Sequence, residues 1–94
     1  MTVYVDDAVH LWRGRRWAHL MADTLAELHA MAQRLGLPPR AFQNKTSGAH
    51  YDVDVELREQ ALVLGAVAIS RHHDRTLVKA VIARAKAQGR GLAP

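Results

Sequence analysis

The sequence contains no cysteine, which excludes disulfide bonds, thiolate metal ligands and a cysteine nucleophile. This absence fits a reducing compartment, and we expect a cytoplasmic protein. No apolar run approaches the ~18 residues that a membrane-spanning helix needs, so we expect no membrane partner. The apolar, β-branched start of the chain is also unlike a signal peptide.

The sequence also lacks the short motifs of several common enzyme classes. It has no P-loop, no Gly-x-Gly-x-x-Gly and no Gly-x-Ser-x-Gly, which argues against a serine hydrolase and a standard dinucleotide oxidoreductase. Helix-turn-helix, zinc-finger and RNA-binding signatures are missing as well. Any activity must therefore come from a site that no standard motif marks.

The 94 residues are enough for one domain with a single modest core. We predict one domain over residues 1–88 and a flexible tail over residues 89–94. Thirteen Lys and Arg against nine Asp and Glu give a net charge of +4. This excess allows an anionic partner, such as a nucleotide or a nucleic acid, without requiring one.

The hydrophobic pattern predicts an α/β fold with the element order β-β-α-β-α-β-α. Strands are predicted over residues 2–5, 17–22, 40–43 and 66–69. Such alternation is typical of a mostly parallel sheet in a two-layer or three-layer sandwich. However, the link over residues 8–16, predicted as a basic loop, is shorter than the ~12 residues that a parallel crossover needs. An N-terminal antiparallel hairpin is therefore the alternative for the first two strands.

The helices carry clear start and stop signals. Thr24 and Glu27 have the spacing of a capping box, and Gly36 ends the apolar pattern that follows them. Asp54 is a suitable cap for a second helix, which Gly65 ends. A third helix is predicted from about residue 70 or 74 to residue 88.

The first candidate site lies at the end of the first strand. Asp6 and Asp7 are adjacent, so at most one of them faces inward from a strand. Carboxylates at a strand end suit hard cations, and we predict that Asp6, Asp7 and His19 bind Mg²⁺ or Mn²⁺. The alternative is structural: a turn that exposes both acids, and a core histidine that pairs with one of them.

The second candidate site precedes the second helix. In an extended segment His50 and Asp52 point to one side and Tyr51 to the other. An imidazole and a carboxylate on one side can ligate a metal or orient a proton transfer. We predict His50, Tyr51 and Asp52 as catalytic residues, with a helix-start role as the alternative for Asp52.

A basic loop supplies the third candidate site. Arg13, Arg15 and Arg16 lie between Trp12 and Trp17. Guanidinium groups bind phosphate and an exposed indole can stack on a base, so we predict these arginines as binding residues.

Several short motifs, taken in order, resemble those of a bacterial and phage family of unknown function, domain of unknown function 4031. They are VYVDD at residues 3–7, HLMADT at 19–24, ELHAMA at 27–32, FQ at 42–43, HYD at 50–52 and GAV at 65–67. The resemblance covers about residues 2–70, and the third helix runs past the usual end of the family's pattern. It implies a compact intracellular protein of bacterial or phage type, and it brings no activity, cofactor or partner.

Three functions are compatible with these features. The preferred hypothesis is divalent-metal-assisted hydrolysis of a phosphoester in a nucleotide or nucleic acid. The alternatives are a non-catalytic module that binds nucleic acid or nucleotide through the arginine loop and the last helix, and an adaptor that binds another protein. The sequence leaves the substrate and the oligomeric state open.

Overall fold

A computed structural model describes residues 2–8, 10–45, 48–70, 76, 77, 79–81 and 83. The strands are β1 (Val3–Val5), β2 (His10–Trp12), β3 (Arg15–Ala22), β4 (Phe42–Lys45), β5 (Gly48–Asp54) and β6 (Val67–Ala68). The helices are α1 (Leu25–Arg34) and α2 (Val55–Val63), and a 3-10 turn spans Pro39–Ala41. Residues 76, 77, 79–81 and 83 are also helical, as predicted for the third helix. The predicted tail and the rest of that helix lie outside the described residues.

The strands form one six-stranded sheet in the order β4-β5-β3-β1-β6, with β2 also paired to β3. Every described pairing is antiparallel except the one between β1 and β6. The mixed α/β class is confirmed, but the prediction of a mostly parallel sheet is wrong. The antiparallel alternative for the first two predicted strands is confirmed, because β1 pairs with β3 in that sense.

The parallel prediction failed because strands joined by a helix are not neighbours in this sheet. β3 and β4 run in the same direction on either side of α1, but β5 lies between them and pairs antiparallel to both. Likewise β5 and β6 share a direction, and β3 and β1 separate them. The sequence did not predict β5, so the predicted strands over residues 40–43 and 66–69, which were expected to be parallel, run in opposite directions.

Two strands, β2 and β5, lie in segments where no strand was predicted. Residues 8–16 contain β2 and a two-residue turn in which Arg13 and Gly14 have φ values of 51° and 74°. Two positive φ angles suit a tight hairpin, so β2 folds directly onto β3. β5 begins at Gly48 and continues to Asp54, where no strand was predicted.

The two complete helices begin and end where the sequence predicts. The Thr24 side chain accepts a hydrogen bond from the Glu27 backbone N–H, and the Asp54 side chain accepts one from Leu57. Gly36 and Gly65 follow the helices with φ values of 77° and 106°, which side chains with a Cβ rarely adopt. No helix in the described ranges is long and apolar enough to cross a membrane.

Hydrophobic clusters lie on both faces of the sheet. The larger one packs Leu20, Tyr51 and Val53 against α1 residues such as Leu28 and against Ala61 of α2. The smaller one, on the other face, consists of Tyr4, Met21, Ile69 and Val81, with Leu77 packed against them. Helical residues therefore pack against both faces of the sheet.

Candidate metal centre

Strand pairing brings separate sequence motifs to one place on the sheet. His19 of β3 lies directly opposite Asp52 of β5, and His50 precedes Asp52 by two residues. Alternation along a strand then places all three side chains on the same face. The β1–β3 ladder reaches Val5, so Asp6 follows immediately beside His19. Asp6 and His19 of the first candidate site thus lie next to His50 and Asp52 of the second.

The three side chains on this face have the geometry of a small ligand set. Asp52 Oδ1 lies 3.3 Å from His50 Nε2 and 3.9 Å from His19 Nε2. The two imidazole rings meet edge to face, with centroids 4.9 Å apart. One ligand atom from each residue can be chosen so that all lie within 4.8 Å of one another. Within the described ranges, this is the group of His and Asp side chains that can hold a metal ion.

Asp6 lies behind His19 and fixes its ring. Its Oδ2 is 2.8 Å from His19 Nδ1, and its Oδ1 accepts a hydrogen bond from the His19 backbone N–H at 2.6 Å. Only 1% of Asp6 is exposed, and Arg58 Nε donates to its backbone carbonyl at 2.8 Å. A carboxylate buried in this way needs such partners, because an unpaired buried charge is costly. The structural alternative stated from the sequence, in which His19 pairs with one of the two adjacent acids, agrees with this contact.

The Asp6 contact selects one form of the His19 imidazole. An ionised Asp6 only accepts hydrogen bonds, so a neutral His19 ring makes this contact through a proton on Nδ1. The lone pair is then on Nε2, the atom that faces Asp52. A carboxylate that holds a histidine in this tautomer is the usual outer partner of a metal-binding imidazole.

A cavity of about 530 Å³ opens beside these residues. Its walls are mostly apolar or aromatic, with three polar side chains, and the residues are Trp12, Trp17, His19, Leu37, Ala41, Gln43, Asp52 and Leu57. The Asp52 side chain is 44% exposed, whereas Asp6 is closed off from solvent. Small molecules can therefore reach the ligand side of the cluster.

Two of the predicted site residues lie apart from this cluster. Tyr51 points to the opposite face, where its hydroxyl is 2.7 Å from His29 Nδ1. Burial raises the pKa of the Tyr51 hydroxyl, so it stays protonated and is a poor base. Asp7 is partly buried next to Asp6 and does not belong to the ligand set. Catalytic and metal-binding roles for these two residues stay predictions that the geometry does not favour.

The predicted binding arginines lie on the exposed β2–β3 hairpin. Arg13 occupies the turn, with its guanidinium 4.6 Å from the centroid of the Trp12 ring. Arg15 pairs with Asp54 at 2.8 Å while remaining 66% exposed. Arg16 is also exposed. The hairpin thus presents positive charge close to two indoles that line the cavity.

The sequence did not indicate that Asp6 would contact His19 without being a ligand itself, or that Gln43 would line the cavity. Asp6 was predicted as a ligand, but its carboxylate is directed at His19 Nδ1 and at a backbone N–H. Gln43 lies opposite His50 in the β4–β5 pair and lines the cavity. The spacing of His50 and Asp52 was the usable signal, because it predicted a shared face correctly. The position of His19 opposite Asp52 could be known only from the register of the β3–β5 pair.

The fold and site together define a small α/β domain with a candidate His-His-Asp metal centre. A family model described as a protein of unknown function (DUF4031) matches residues 3–82, and the chain belongs to that family. This confirms the resemblance stated from the motifs, while a bacterial or phage origin stays a prediction. No curated protein and no solved structure matches the chain significantly.

Proposed function

We propose that His19, His50 and Asp52 bind a divalent transition metal, and that the protein uses it to hydrolyse a phosphoester. The observation that supports this most is the convergence of three ligand atoms within 4.8 Å. The buried Asp6 behind His19 adds to it, since outer carboxylates of this kind orient metal-binding imidazoles.

The ligand types favour some cations over others. Two imidazoles and one carboxylate suit Zn²⁺, Mn²⁺ or Fe²⁺, whereas Mg²⁺ prefers oxygen ligands alone. Of the two cations predicted from the sequence, the proposal therefore keeps Mn²⁺ and adds Zn²⁺. Three protein ligands leave coordination positions for water and substrate, as catalytic metal sites require.

A metal held by His19, His50 and Asp52 would supply hydroxide from water for attack on phosphorus. A bound divalent cation would lower the pKa of water towards neutrality, which supplies hydroxide near neutral pH. The water oxygen forms the new bond to phosphorus, the bond to the leaving oxygen breaks, and that oxygen takes up a proton. The exposed Arg13 and Arg16 on the β2–β3 hairpin add positive charge that favours an anionic partner.

Metal binding and hydrolysis are tested together. Titration calorimetry with Mn²⁺ and Zn²⁺ should give one site per chain, and bis(p-nitrophenyl) phosphate should be cleaved only with metal present. His50→Ala and Asp52→Ala should abolish both signals. His29→Ala is the matched control, because this histidine lies on the opposite face beside Tyr51. Absence of metal binding, or equal loss in the control, would rule out the proposed centre.

A second candidate function is non-catalytic binding of a nucleotide or nucleic acid by the hairpin. The observation in its favour is that Arg13, Arg16 and Trp12 are all exposed there. Affinity for a fluorescent oligonucleotide should then fall steeply with salt and should not depend on metal. Cleavage of the oligonucleotide would instead favour the enzyme.

A cytoplasmic location is also part of the proposal. It rests on the absence of cysteine from the sequence, which suits a reducing compartment. A fluorescent fusion expressed in the source cell would test it, and accumulation in an oxidising compartment would contradict it.

A further inference from the structure

Two indoles line the same cavity as the candidate metal ligands. Trp17 precedes His19 by two residues on β3, so both side chains project from one face, ~7 Å apart along the strand. Trp12 lies on the paired strand β2, and the two rings meet at 63° with centroids 5.9 Å apart. Trp17 Nε1 donates a hydrogen bond to the Trp12 carbonyl at 3.0 Å, which holds the pair together.

Trp12 is unusually exposed for such a large apolar side chain. It is 58% exposed at the end of a short strand, a position where water would solvate a charged side chain better than an indole. The guanidinium of Arg13 lies over its ring at 4.6 Å from the centroid, so the indole already contacts a cationic group. Exposed indoles of this kind are the platforms on which proteins stack nucleobases.

The rest of the cavity suits a ligand with a planar ring and a polar edge. Its volume of about 530 Å³ lies within the usual range for small-molecule sites, roughly 300–1,000 Å³. Leu37, Ala41 and Leu57 give it apolar walls, and the Gln43 amide offers both a donor and an acceptor. His19 and Asp52 line the same space, so one ligand can touch both the indoles and the metal ligands.

We infer that Trp12 and Trp17 form a nucleobase-binding subsite, with Gln43 available to hydrogen-bond the base edge. The substrate class is then a phosphoester that carries a nucleobase, either a free nucleotide or the end of a single strand. The position of its phosphate at the metal ligands rests on the proposed function. Binding of the base does not, so the two ideas can fail separately.

Binding is measured by the fluorescence anisotropy of a methylanthraniloyl derivative of adenosine monophosphate. Unlabelled adenosine monophosphate should displace it, and ribose 5-phosphate, which lacks the base, should not. Trp12→Ala should weaken binding about 5- to 150-fold, the range expected for loss of one stacking ring, while Trp12→Phe should retain most of it. Leu11→Ala is the matched control, since this side chain is 75% exposed on the same strand and points to its other side.

Each outcome bears on one idea. Equal displacement by ribose 5-phosphate, or unchanged affinity in a folded Trp12→Ala variant, would overturn the base subsite even where metal binding and hydrolysis persist. Metal affinity should be unchanged in Trp12→Ala, and base binding should persist in His50→Ala. A short single-stranded oligonucleotide, used as a second competitor, distinguishes a free nucleotide from a strand end. If it binds more tightly than adenosine monophosphate, the ligand of the subsite is a strand end.

Discussion

Replacing Asp6 by asparagine isolates the orienting role of its carboxylate, because the amide keeps the shape but turns one acceptor into a donor. Asp6 uses both oxygens on His19: one accepts from the backbone N–H at 2.6 Å and the other faces Nδ1 at 2.8 Å. The amide oxygen of asparagine can satisfy the backbone N–H. The amide NH₂ must then face Nδ1, which becomes the acceptor. His19 is thereby held with its proton on Nε2, the atom that the metal requires.

The expected loss follows from this change of tautomer. Removing an outer-shell partner of a ligand typically weakens metal affinity about 10- to 100-fold, or about 1.4–2.8 kcal/mol. The opposite amide orientation is unfavourable, since the asparagine NH₂ would then face the His19 backbone N–H, and both groups are donors. Asp6→Asn should also lower the free energy of unfolding by about 1–3 kcal/mol, because charge-assisted hydrogen bonds are lost.

Affinity for Mn²⁺ and Zn²⁺ is measured by calorimetry well below the melting temperature, and circular dichroism confirms that the variant is folded. Asp23→Asn is the matched control, since Asp23 is also a hydrogen-bonded carboxylate and accepts from Tyr4 and from the Thr2 backbone N–H. It should lose stability and keep metal affinity. Wild-type affinity in a folded Asp6→Asn variant would refute the orienting role.

Three further predictions concern the fold. Asp54→Ala should cost about 1 kcal/mol in the free energy of unfolding, because it removes the cap of α2. Arg15→Ala should cost about 0–1 kcal/mol, because the Arg15 side chain is 66% exposed and its ion pair with Asp54 is screened by solvent. Urea denaturation compares the two variants, and equal large losses would contradict the capping argument. Burial raises the pKa of Tyr51, so the stability it contributes is complete below the ordinary tyrosine pKa of about 10 and is lost as pH rises through the raised value. Tyr51→Phe should therefore flatten the alkaline fall in stability, and an unchanged profile would argue against this assignment. Leu20→Ala should cost about 2–5 kcal/mol, since Leu20 is fully buried at the centre of the larger cluster, and a loss below about 1 kcal/mol would show that the cavity collapses.

Local features of the fold could be read from the sequence because local chemistry determines them. The Thr24 capping box and the Asp54 cap are side-chain-to-backbone contacts within three residues, and Gly36 and Gly65 mark positive φ angles. Strand order is a different kind of information. It depended on β5, which alternates His, Tyr and Asp in a way that resembles a polar link. β5 lies between β3 and β4, the strands joined through α1, and β3 and β1 lie between β5 and β6, the strands joined through α2.

For the same reason, the sequence predicted the arrangement of His50 and Asp52 but not the position of His19 beside them. The His50-Tyr51-Asp52 spacing predicts that the first and third residues share a face, and the structure agrees. The facing of His19 and Asp52 comes from the β3–β5 register, which links positions 33 residues apart (52 minus 19). Sequence periodicity carries no information on such a pairing, because any even shift along β5 would preserve the same buried face.

Burial explains why chemically identical carboxylates have different roles in this small domain. Asp23 and Asp54 bind backbone N–H groups and hold elements in place. Asp6 is buried and contacts Nδ1 of His19. A cation could replace this hydrogen bond only if the buried carboxylate became accessible to it. Asp52 is 44% exposed, and the described side chains that contact its carboxylate are the two imidazoles. A metal ion entering from the cavity would therefore displace only weak contacts at Asp52, and this is why we assign the carboxylate ligand to Asp52 and not to Asp6.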